Sequence, residues 1–412
     1  MKILVLNCGS SSVKFQLIET DLDRIEHNQD RLHARGSVEK IGTAEALLDV
    51  LADPQGPHRR ERRAVASDVL DHHAAIGKIL AVLQELGVVR EPSEIEAVGH
   101  RVVHGGTYRQ SQLITPEVVA QIEAAIELAP LHNPHNLKGY QVCAQVFPDR
   151  PQVAVFDTAF HQTMPERAFL YALPYDFYRR HRIRRYGFHG TSHRYVAFRY
   201  RQLSGRAKED LNLITCHLGN GCSLTAIQHG RSVDTSMGFT PLEGLVMGTR
   251  TGDLDPSILL YLMAKEEMSL HEMATLLNRH SGLYGLSGES NDMRALVESW
   301  QRGHERARIA VEVFCYRLRK YIGAYTAVLG RVDALIFTGG IGENAPRIRE
   351  LSCESLDNLG FELDHEKNEA AVGTEADISA AASRTHIWVI PTNEELLIAR
   401  DTYRTIEGIE HP

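Results

Sequence analysis

The sequence predicts an α/β protein of two domains. Three observations carry this. Short apolar strands alternate with amphipathic helices along the whole chain. At 412 residues the chain is too long for one compact core. And a strand–polar turn–strand unit at residues 3–19 recurs in the second half.

Composition narrows the function class. Hydrophobic residues make up 43% and charged residues 24%, an ordinary balance for a soluble globular protein. The net charge of -8 is the wrong sign for a nucleic-acid binder. Six cysteines (Cys8, Cys143, Cys216, Cys222, Cys315 and Cys353) form no C-x-x-C pair, which excludes a zinc ribbon or a redox dithiol. Free thiols fit a reducing cytosol, so the expected location is cytoplasmic. The apolar run at residues 3–6 is too short for a signal peptide. No stretch approaches the ~20 apolar residues of a membrane span.

The elements follow in order. Residues 3–6 read as a buried strand, residues 7–12 (N-C-G-S-S-S) as a polar turn, and residues 13–18 as the return strand. Residues 68–86 place Leu70, Ile76, Ile79, Leu80, Leu83 and Leu86 on one helical stripe. Thr115 caps the next helix, with Pro116 first and Glu117 in the positive first turn. Residues 153–156 are a buried strand ending at Asp157. Residues 211–216, 217–222 (H-L-G-N-G-C) and 223–227 then repeat the hairpin. Gly219 aligns with Gly9 and His217 with Asn7, which reads as an internal duplication. Ser269 and Glu272 form a capping box, and Gly282 is expected to end that helix. Residues 305–329 are a long amphipathic helix. Residues 332–337 are a strand opening into T-G-G-I-G-E-N at 338–344, and Pro346 starts a helix. Residues 387–390 are a late strand, followed by P-T-N-E-E at 391–395 and a short final helix. The basic run at 59–63 reads as solvated loop charge. The run at 179–185 leads into a Gly-rich motif and reads as the edge of an anion site.

Three strand-following turns are rich in Gly, Ser or Asn. Such turns present backbone N–H groups and small hydroxyls to phosphate oxygens. Neither G-x-x-x-x-G-K-[ST] nor G-x-G-x-x-G opening a helix is present, so the phosphate site is of another type. Paired hairpin turns on two domains that close on a nucleotide are the actin-like solution. Lys14 sits on the first return strand, on the face of Ser12 and Gln16; a lysine there either reaches phosphate or is an exposed strand lysine, the commoner case. Arg101, in G-H-R-V-V-H-G-G, and Arg250, in M-G-T-R-T-G-D-L-D-P, are single arginines in Gly-containing loops. A guanidinium there binds carboxylate or phosphate at two points; the alternative for each is a surface salt bridge. Asp255 with Pro256 reads as a helix start. His189 and His193 have zinc-pair spacing, but no third ligand motif follows and Gly190 argues against a helix there. Magnesium held by carboxylates and phosphates is the expected metal.

Residues 3–15, 99–106, 128–139 (L-A-P-L-H-N-P-H-N-L-K-G), 156–165 (F-D-T-A-F-H-Q-T-M-P), 183–193, 217–221, 236–256, 337–344 and 391–402 together resemble the acetate and propionate kinases. The likeness covers essentially the whole chain. That family lies in the superfamily of acetate and sugar kinases, chaperone ATPases and actin. The resemblance implies two actin-like (ribonuclease H-like) domains with a nucleotide cleft between them. One would span residues 1–157 plus 395–412, closed by the C-terminal helix. The other, nucleotide-binding, would span 158–394.

The resemblance also implies roles. Asn7 and Glu394 match magnesium-site residues, with manganese as an alternative ion. Ser10, Ser12 and Lys14 match the first phosphate turn. His217, Leu218, Gly219, Asn220 and Gly221 match ATP contacts, as do Asp292, Met293 and Arg294, and Gly340, Ile341, Gly342, Glu343 and Asn344. Arg101 matches the arginine for the substrate carboxylate, and Asp157 the catalytic aspartate. His189 and Arg250 match two transition-state stabilisers. Val103, Leu131, Phe188 and Pro241 match the pocket for the substrate methyl group, with His132 beside it. The expected reaction is ATP plus acetate giving ADP and acetyl phosphate, in a homodimer that engages neither membrane nor nucleic acid. Propionate or another short acyl acceptor is one alternative; an actin-like ATPase module without carboxylate kinase activity is the other.

Overall fold

The computed structural model describes residues 1–130 and 132–411. It divides into two compact units. Unit 1 comprises Met1–Phe160 and the C-terminal segment from Asn393; unit 2 is His161–Thr392.

Unit 1 is built on eight strands: β1 Lys2–Cys8, β2 Ser12–Glu19, β3 Arg31–Glu39, β4 Leu47–Ala52, β5 Arg60–Val65, β6 Ala97–Val102, β7 Gln112–Leu113 and β8 Gln152–Phe156. Their order in the sheet is β5-β4-β3-β2-β1-β6-β8-β7. The strand β1 is apolar on both sides because both faces of the sheet are covered. Leu4 and Leu6 join the core formed with the helices His72–Glu85 and Asn133–Val146. Ile3 and Val5 join the opposite core, with Val153, Val155, Ile398 and Ala399. Ile398 and Ala399 belong to the C-terminal helix Glu394–Glu407. Gly99 lets that helix lie against the sheet: a Cβ there would sit 2.4 Å from Thr402 Oγ1 and 2.9 Å from Ile398 Cγ2.

Unit 2 carries β9 Asn212–Leu218, β10 Cys222–Gln228, β11 Arg231–Thr235, β12 Ala334–Thr338, β13 Ala376–Asp377 and β14 His386–Val389, ordered β11-β10-β9-β12-β14-β13. The helix Glu305–Leu329 packs on β10 and on the helices Met293–Gln301 and Pro346–Cys353. The two sheets have the same central five-strand pattern. In β3-β2-β1-β6-β8, the first three strands are antiparallel and the next two join in parallel. In β11-β10-β9-β12-β14 the same pattern holds. Both units therefore have the ribonuclease H-like, actin-like order. The duplication expected from Gly9 and Gly219 is visible strand by strand, and Asn7 and His217 both sit one residue before the last of their strand.

Local expectations differ from the structure at several places. Leu70 lies outside the first long helix and is 73% exposed; the helix starts after Asp71, whose carboxylate accepts from Ala74 N–H. Gly282 does not end the helix Leu270–Arg279 but opens the next one at φ +63°. The C-terminal helix spans 14 residues and is not short. The basic run reaches into β5, an edge strand whose side chains are nearly all exposed. Charge on an edge strand discourages pairing with another sheet, which accounts for arginines where apolar alternation is absent.

Candidate active site

Side-chain parity assembles the unit 1 site. Successive residues of a strand face opposite ways. Asn7 follows Ile3 and Val5 on the face covered by the C-terminal helix, and Lys14 is its direct partner on β2. Arg101 follows Ala97 and Gly99 on that face, and Asp157 continues from Val153 and Val155. Glu394 is the first residue of the helix on the same face, capped by Asn393 accepting from Leu396 N–H at 3.1 Å.

Arg101 Nε donates to Asp157 Oδ1 at 3.1 Å and Nη2 to Oδ2 at 2.6 Å. Glu394 Oε2 lies 3.8 Å from Arg101 Nε. Burial works to lower the Arg101 pKa, but the carboxylates of Asp157 and Glu394 outweigh it and raise it further. Glu395 has its pKa raised, first by burial and then by the neighbouring Glu394 charge.

The loop after β6 is pinned by two asparagines on one face of the helix Asn133–Val146. Asn136 accepts from Val103 N–H at 3.1 Å and donates to the Cys8 carbonyl at 3.0 Å, tying β6 to the end of β1. Asn133 accepts from His104 N–H at 3.1 Å and donates to the His104 carbonyl at 2.9 Å. His132 is the residue before this helix. Val103 is buried; Leu131 lies outside the described residues. In the turn between β1 and β2, Gly9 N–H donates to the Ser12 carbonyl at 2.8 Å, and His72 Nε2 donates to the Gly9 carbonyl at 2.7 Å. Ser10 is exposed and Ser12 half-buried.

In unit 2, His189 precedes the helix Gly190–Ser204 with φ +57°. A helix does begin at Gly190, so His189 and His193 stand one turn apart. His193 takes no metal-ligand posture: Nδ1 meets Thr215 Oγ1 at 2.7 Å and Nε2 meets Ser223 Oγ at 2.7 Å. His189 Nδ1 meets the same Ser223 Oγ at 2.9 Å. The rings of His189 and His217 pack with centroids 4.2 Å apart. A Cβ on Gly221 would lie 3.4 Å from His189 Nε2 and 3.5 Å from Arg250 Nη1, so both groups border the turn after β9.

Arg250 donates to the Pro241 carbonyl at 3.1 Å and has no carboxylate partner among the described residues. Burial lowers its pKa. Phe188 is buried and its carbonyl accepts from His161 Nε2 at 2.9 Å; Pro241 is half-buried. Arg185, the last of the basic run, is an internal brace and not an anion site. It donates to the carbonyls of Thr235, Ser236 and Met237 and bonds Glu243 at 2.5 Å. Tyr171 closes the group through Glu243 and Phe239 N–H.

A cavity of about 510 Å³ in unit 2 is lined by Gly219, Asn220, Asp292, Met293, Arg294, Gly340, Ile341 and Asn344. Three sequence-separated segments thus meet at one nucleotide-sized cavity. Asn291 and Ala345 also line it and were not singled out from the sequence. Arg294 forms a fork on Asp292 at 3.1 and 2.7 Å. Leu218 is fully buried in β9, and Gly342 is buried. Glu343 serves the turn itself, accepting from Gly339 N–H at 2.8 Å and Thr392 N–H at 3.0 Å. Gly339 has φ +76°, and a Cβ there would meet the Leu218 carbonyl oxygen at 2.8 Å, so this turn requires glycine.

Asn133, Asn136, Ser223 and Thr215 are the further residues that sequence reasoning passed over. The asparagine pair had a signal, an i, i+3 repeat inside a resemblance block; the two hydroxyls had none. No group of three or more His, Cys, Asp or Glu side chains among the described residues is arranged to hold a metal ion. Asn7 and Glu394 offer an amide and a carboxylate oxygen. Such hard donors fit magnesium, which keeps several waters and substrate phosphates. No helix among the described residues is long and apolar enough to cross a membrane.

The geometry agrees with what the chain is similar to. Residues 2–400 match the acetokinase family. An acetate kinase of Halothermothrix orenii is 54% identical over 411 residues, 99% of this chain and all of that one. The crystal structure of Porphyromonas gingivalis acetate kinase superposes with a TM-score of 0.91 at 45% identity, covering 98% of this chain and 99% of that one. A propionate kinase from Francisella tularensis gives 0.88 at 42% identity, covering 99% of this chain and all of that one. The chain belongs to the acetokinase family, the ATP-dependent carboxylate kinases.

Proposed function

We propose that the chain transfers the γ-phosphoryl group of ATP, reversibly and in line, to acetate. The observation that carries this is the contrast between two arginines. Arg101 is aimed by a buried carboxylate, whereas Arg250 is half-buried with no carboxylate of its own. A half-buried guanidinium without a counter-ion is arranged for an anion that arrives with the substrate.

The acceptor is a carboxylate with a pKa of roughly 4 to 5, already ionised at neutral pH. It needs no general base, so Asp157 orients Arg101 and transfers no proton. Arg101 Nη1 is uncommitted among the described residues and is the donor for the acceptor oxygen. The barrier is repulsion between two anions, with charge spread over the equatorial phosphoryl oxygens. Arg250 and His189, beside the Gly221 turn, supply donors where that charge develops. Asn7 and Glu394 would hold magnesium, which when bound offsets phosphate charge. No covalent phosphoenzyme is required.

Propionate is the expected second acceptor. One methylene changes selectivity by only ~1–3 kcal/mol in an apolar pocket, and a structural neighbour at 42% identity is named a propionate kinase. A homodimer is also proposed. The helix Pro256–Lys265 buries none of its residues, and Leu260 and Tyr261 are 73% and 64% exposed. Such a patch is suited to a second copy of the chain.

ADP release measured with ATP and magnesium, with and without acetate, propionate or butyrate, tests the reading. Release that depends on acetate supports it. Release that is equal with no carboxylate present would point to an ATPase module.

A further inference from the structure

Arg250 sits in the loop 244–253, and one side chain closes the base of that loop. Asp253 Oδ1 accepts from Gly244 N–H at 2.9 Å, and Asp253 N–H donates back to the Gly244 carbonyl at 2.9 Å. The two ends of the loop are thus held to each other by a reciprocal pair. The same carboxylate ties the base to the long helix Glu305–Leu329. Its Oδ2 accepts from the Tyr321 hydroxyl at 2.8 Å and lies 3.5 Å from Arg317 Nη1, which also donates to the Asp253 carbonyl at 3.2 Å. Arg317 and Tyr321 stand one turn apart on one face of that helix. Burial first, and then the Asp253 charge, raise the Tyr321 pKa, so its hydroxyl keeps its proton and donates.

The segment that enters the loop is held as well. Glu243 bonds Arg185 at 2.5 Å and accepts from the Tyr171 hydroxyl. Two residues before Glu243, the Pro241 carbonyl accepts from Arg250 Nη1 at 3.1 Å. The guanidinium therefore reaches back across the base of its own loop. The tip of the loop is held separately by backbone bonds. Leu283 N–H donates to the Met247 carbonyl at 2.9 Å, Ser281 N–H to the Thr249 carbonyl at 3.0 Å, and Thr251 N–H to the Leu277 carbonyl at 3.1 Å. Asp253 adds what those bonds lack: it registers the loop against Gly244, and hence against Glu243 and Pro241.

We propose that Asp253 is a positioning residue for phosphoryl transfer, holding the Arg250 loop at its base so that the guanidinium stands where the moving phosphoryl group develops charge. The proposal rests on reading Arg250 as a donor to that group, and it goes further by naming the residue that aims it. Asp253 acts through Arg250. Its side chain is 40% exposed, so removing the carboxylate opens no core cavity, and a loss of activity reports aim and not unfolding.

The test is a double-mutant cycle between Asp253→Ala and Arg250→Ala, read as kcat and KM for acetate with ATP and magnesium. Asp253→Ala alone should lower kcat roughly tenfold to a hundredfold, with KM changed by less than about twofold. Asp253→Asn, which keeps an oxygen for Gly244 N–H, should recover most of that loss. Added to Arg250→Ala, the Asp253→Ala change should cost less than about twofold, because no guanidinium is left to aim. Unchanged kcat in Asp253→Ala, or losses that multiply in the double variant, would overturn the proposal. If Asp253→Ala fails to fold, Tyr321→Phe takes its place, since it removes only the hydroxyl that holds Asp253. It should lower kcat roughly threefold in the wild type and leave Arg250→Ala unaffected. Equal effects in the two backgrounds would overturn the proposal. Full activity in Arg250→Ala would instead remove the reading of Arg250 on which it stands.

Discussion

Arg101 and Asp157 form a two-point ion pair at the ends of neighbouring parallel strands, Nε to Oδ1 at 3.1 Å and Nη2 to Oδ2 at 2.6 Å. Register makes the pair. Arg101 stands opposite Val155 on β8, and Asp157 lies two residues further along on the same face. The Asp157 side chain is only 2% exposed, so its charge is directed into the guanidinium and not into solvent.

Asp157→Asn should therefore lose activity without losing a titrating group. An amide offers Arg101 one acceptor where there were two and removes the nearer of its carboxylate partners, leaving Glu394 at 3.8 Å. We expect kcat/KM for acetate to fall by roughly a hundredfold, with the pH–rate profile lowered but unchanged in shape. Disappearance of one limb of that profile would make Asp157 a proton carrier.

Gly221→Ala should separate catalysis from folding. The added methyl would make ordinary van der Waals contact with His189 and Arg250, at 3.4 and 3.5 Å. Stability should change by less than about 1 kcal/mol. The methyl would nevertheless stand between the two donors and the phosphoryl group, so kcat should drop by roughly tenfold or more. Steady-state kinetics beside urea unfolding measures both. Undiminished kcat would place these donors away from the reaction.

Stability should fall on mild acidification. Burial pushes the His100 pKa down to about 4, and burial does the same to His161. An unfolded histidine titrates near 6.5. Between those values the unfolded chain binds protons that the folded chain refuses. This stability is complete above pH ~6.5 and is lost progressively as the pH falls towards 4, by an order of 3 kcal/mol per ring at the limit. Urea midpoints at pH 7.5, 6.5 and 5.5 should decline in that order, less steeply in His100→Gln. Midpoints that hold level or rise on acidification would contradict this.

Leu260→Glu should break self-association. Leu260 is 73% exposed on a helix with no fully buried residue, so a charge there leaves the fold intact and repels a second copy. Light scattering after gel filtration should give a dimer for the wild type and a monomer for the variant. Equal masses would move the interface elsewhere.

Much of this architecture is legible in the sequence, and the reason is local. Strands buried on both faces read as apolar runs, and their turns as small polar residues, so the hairpins around Gly9 and Gly219 are visible unaided. Thr115 with Pro116 and Ser269 with Glu272 mark helix starts because capping is a short-range bond. Long-range register is not legible. Nothing near Arg101 announces that β6 will lie beside β8, or that Asp157 will meet its guanidinium. The braces from Asn133 and Asn136 reach across to β6 and β1, and Ser223 joins two histidines from a different element. Such bonds leave no periodic trace. The strand β5 escaped notice because an exposed edge strand of arginines has no alternation to detect.

The most direct measurement is acyl phosphate trapped with hydroxylamine, using ATP, magnesium and acetate, in the wild type and in Arg101→Ala. The account predicts an acetate-dependent hydroxamate in the wild type that Arg101→Ala all but abolishes while ATP still binds. No hydroxamate in the wild type, or an undiminished yield in Arg101→Ala, would contradict a carboxylate acceptor held by Arg101.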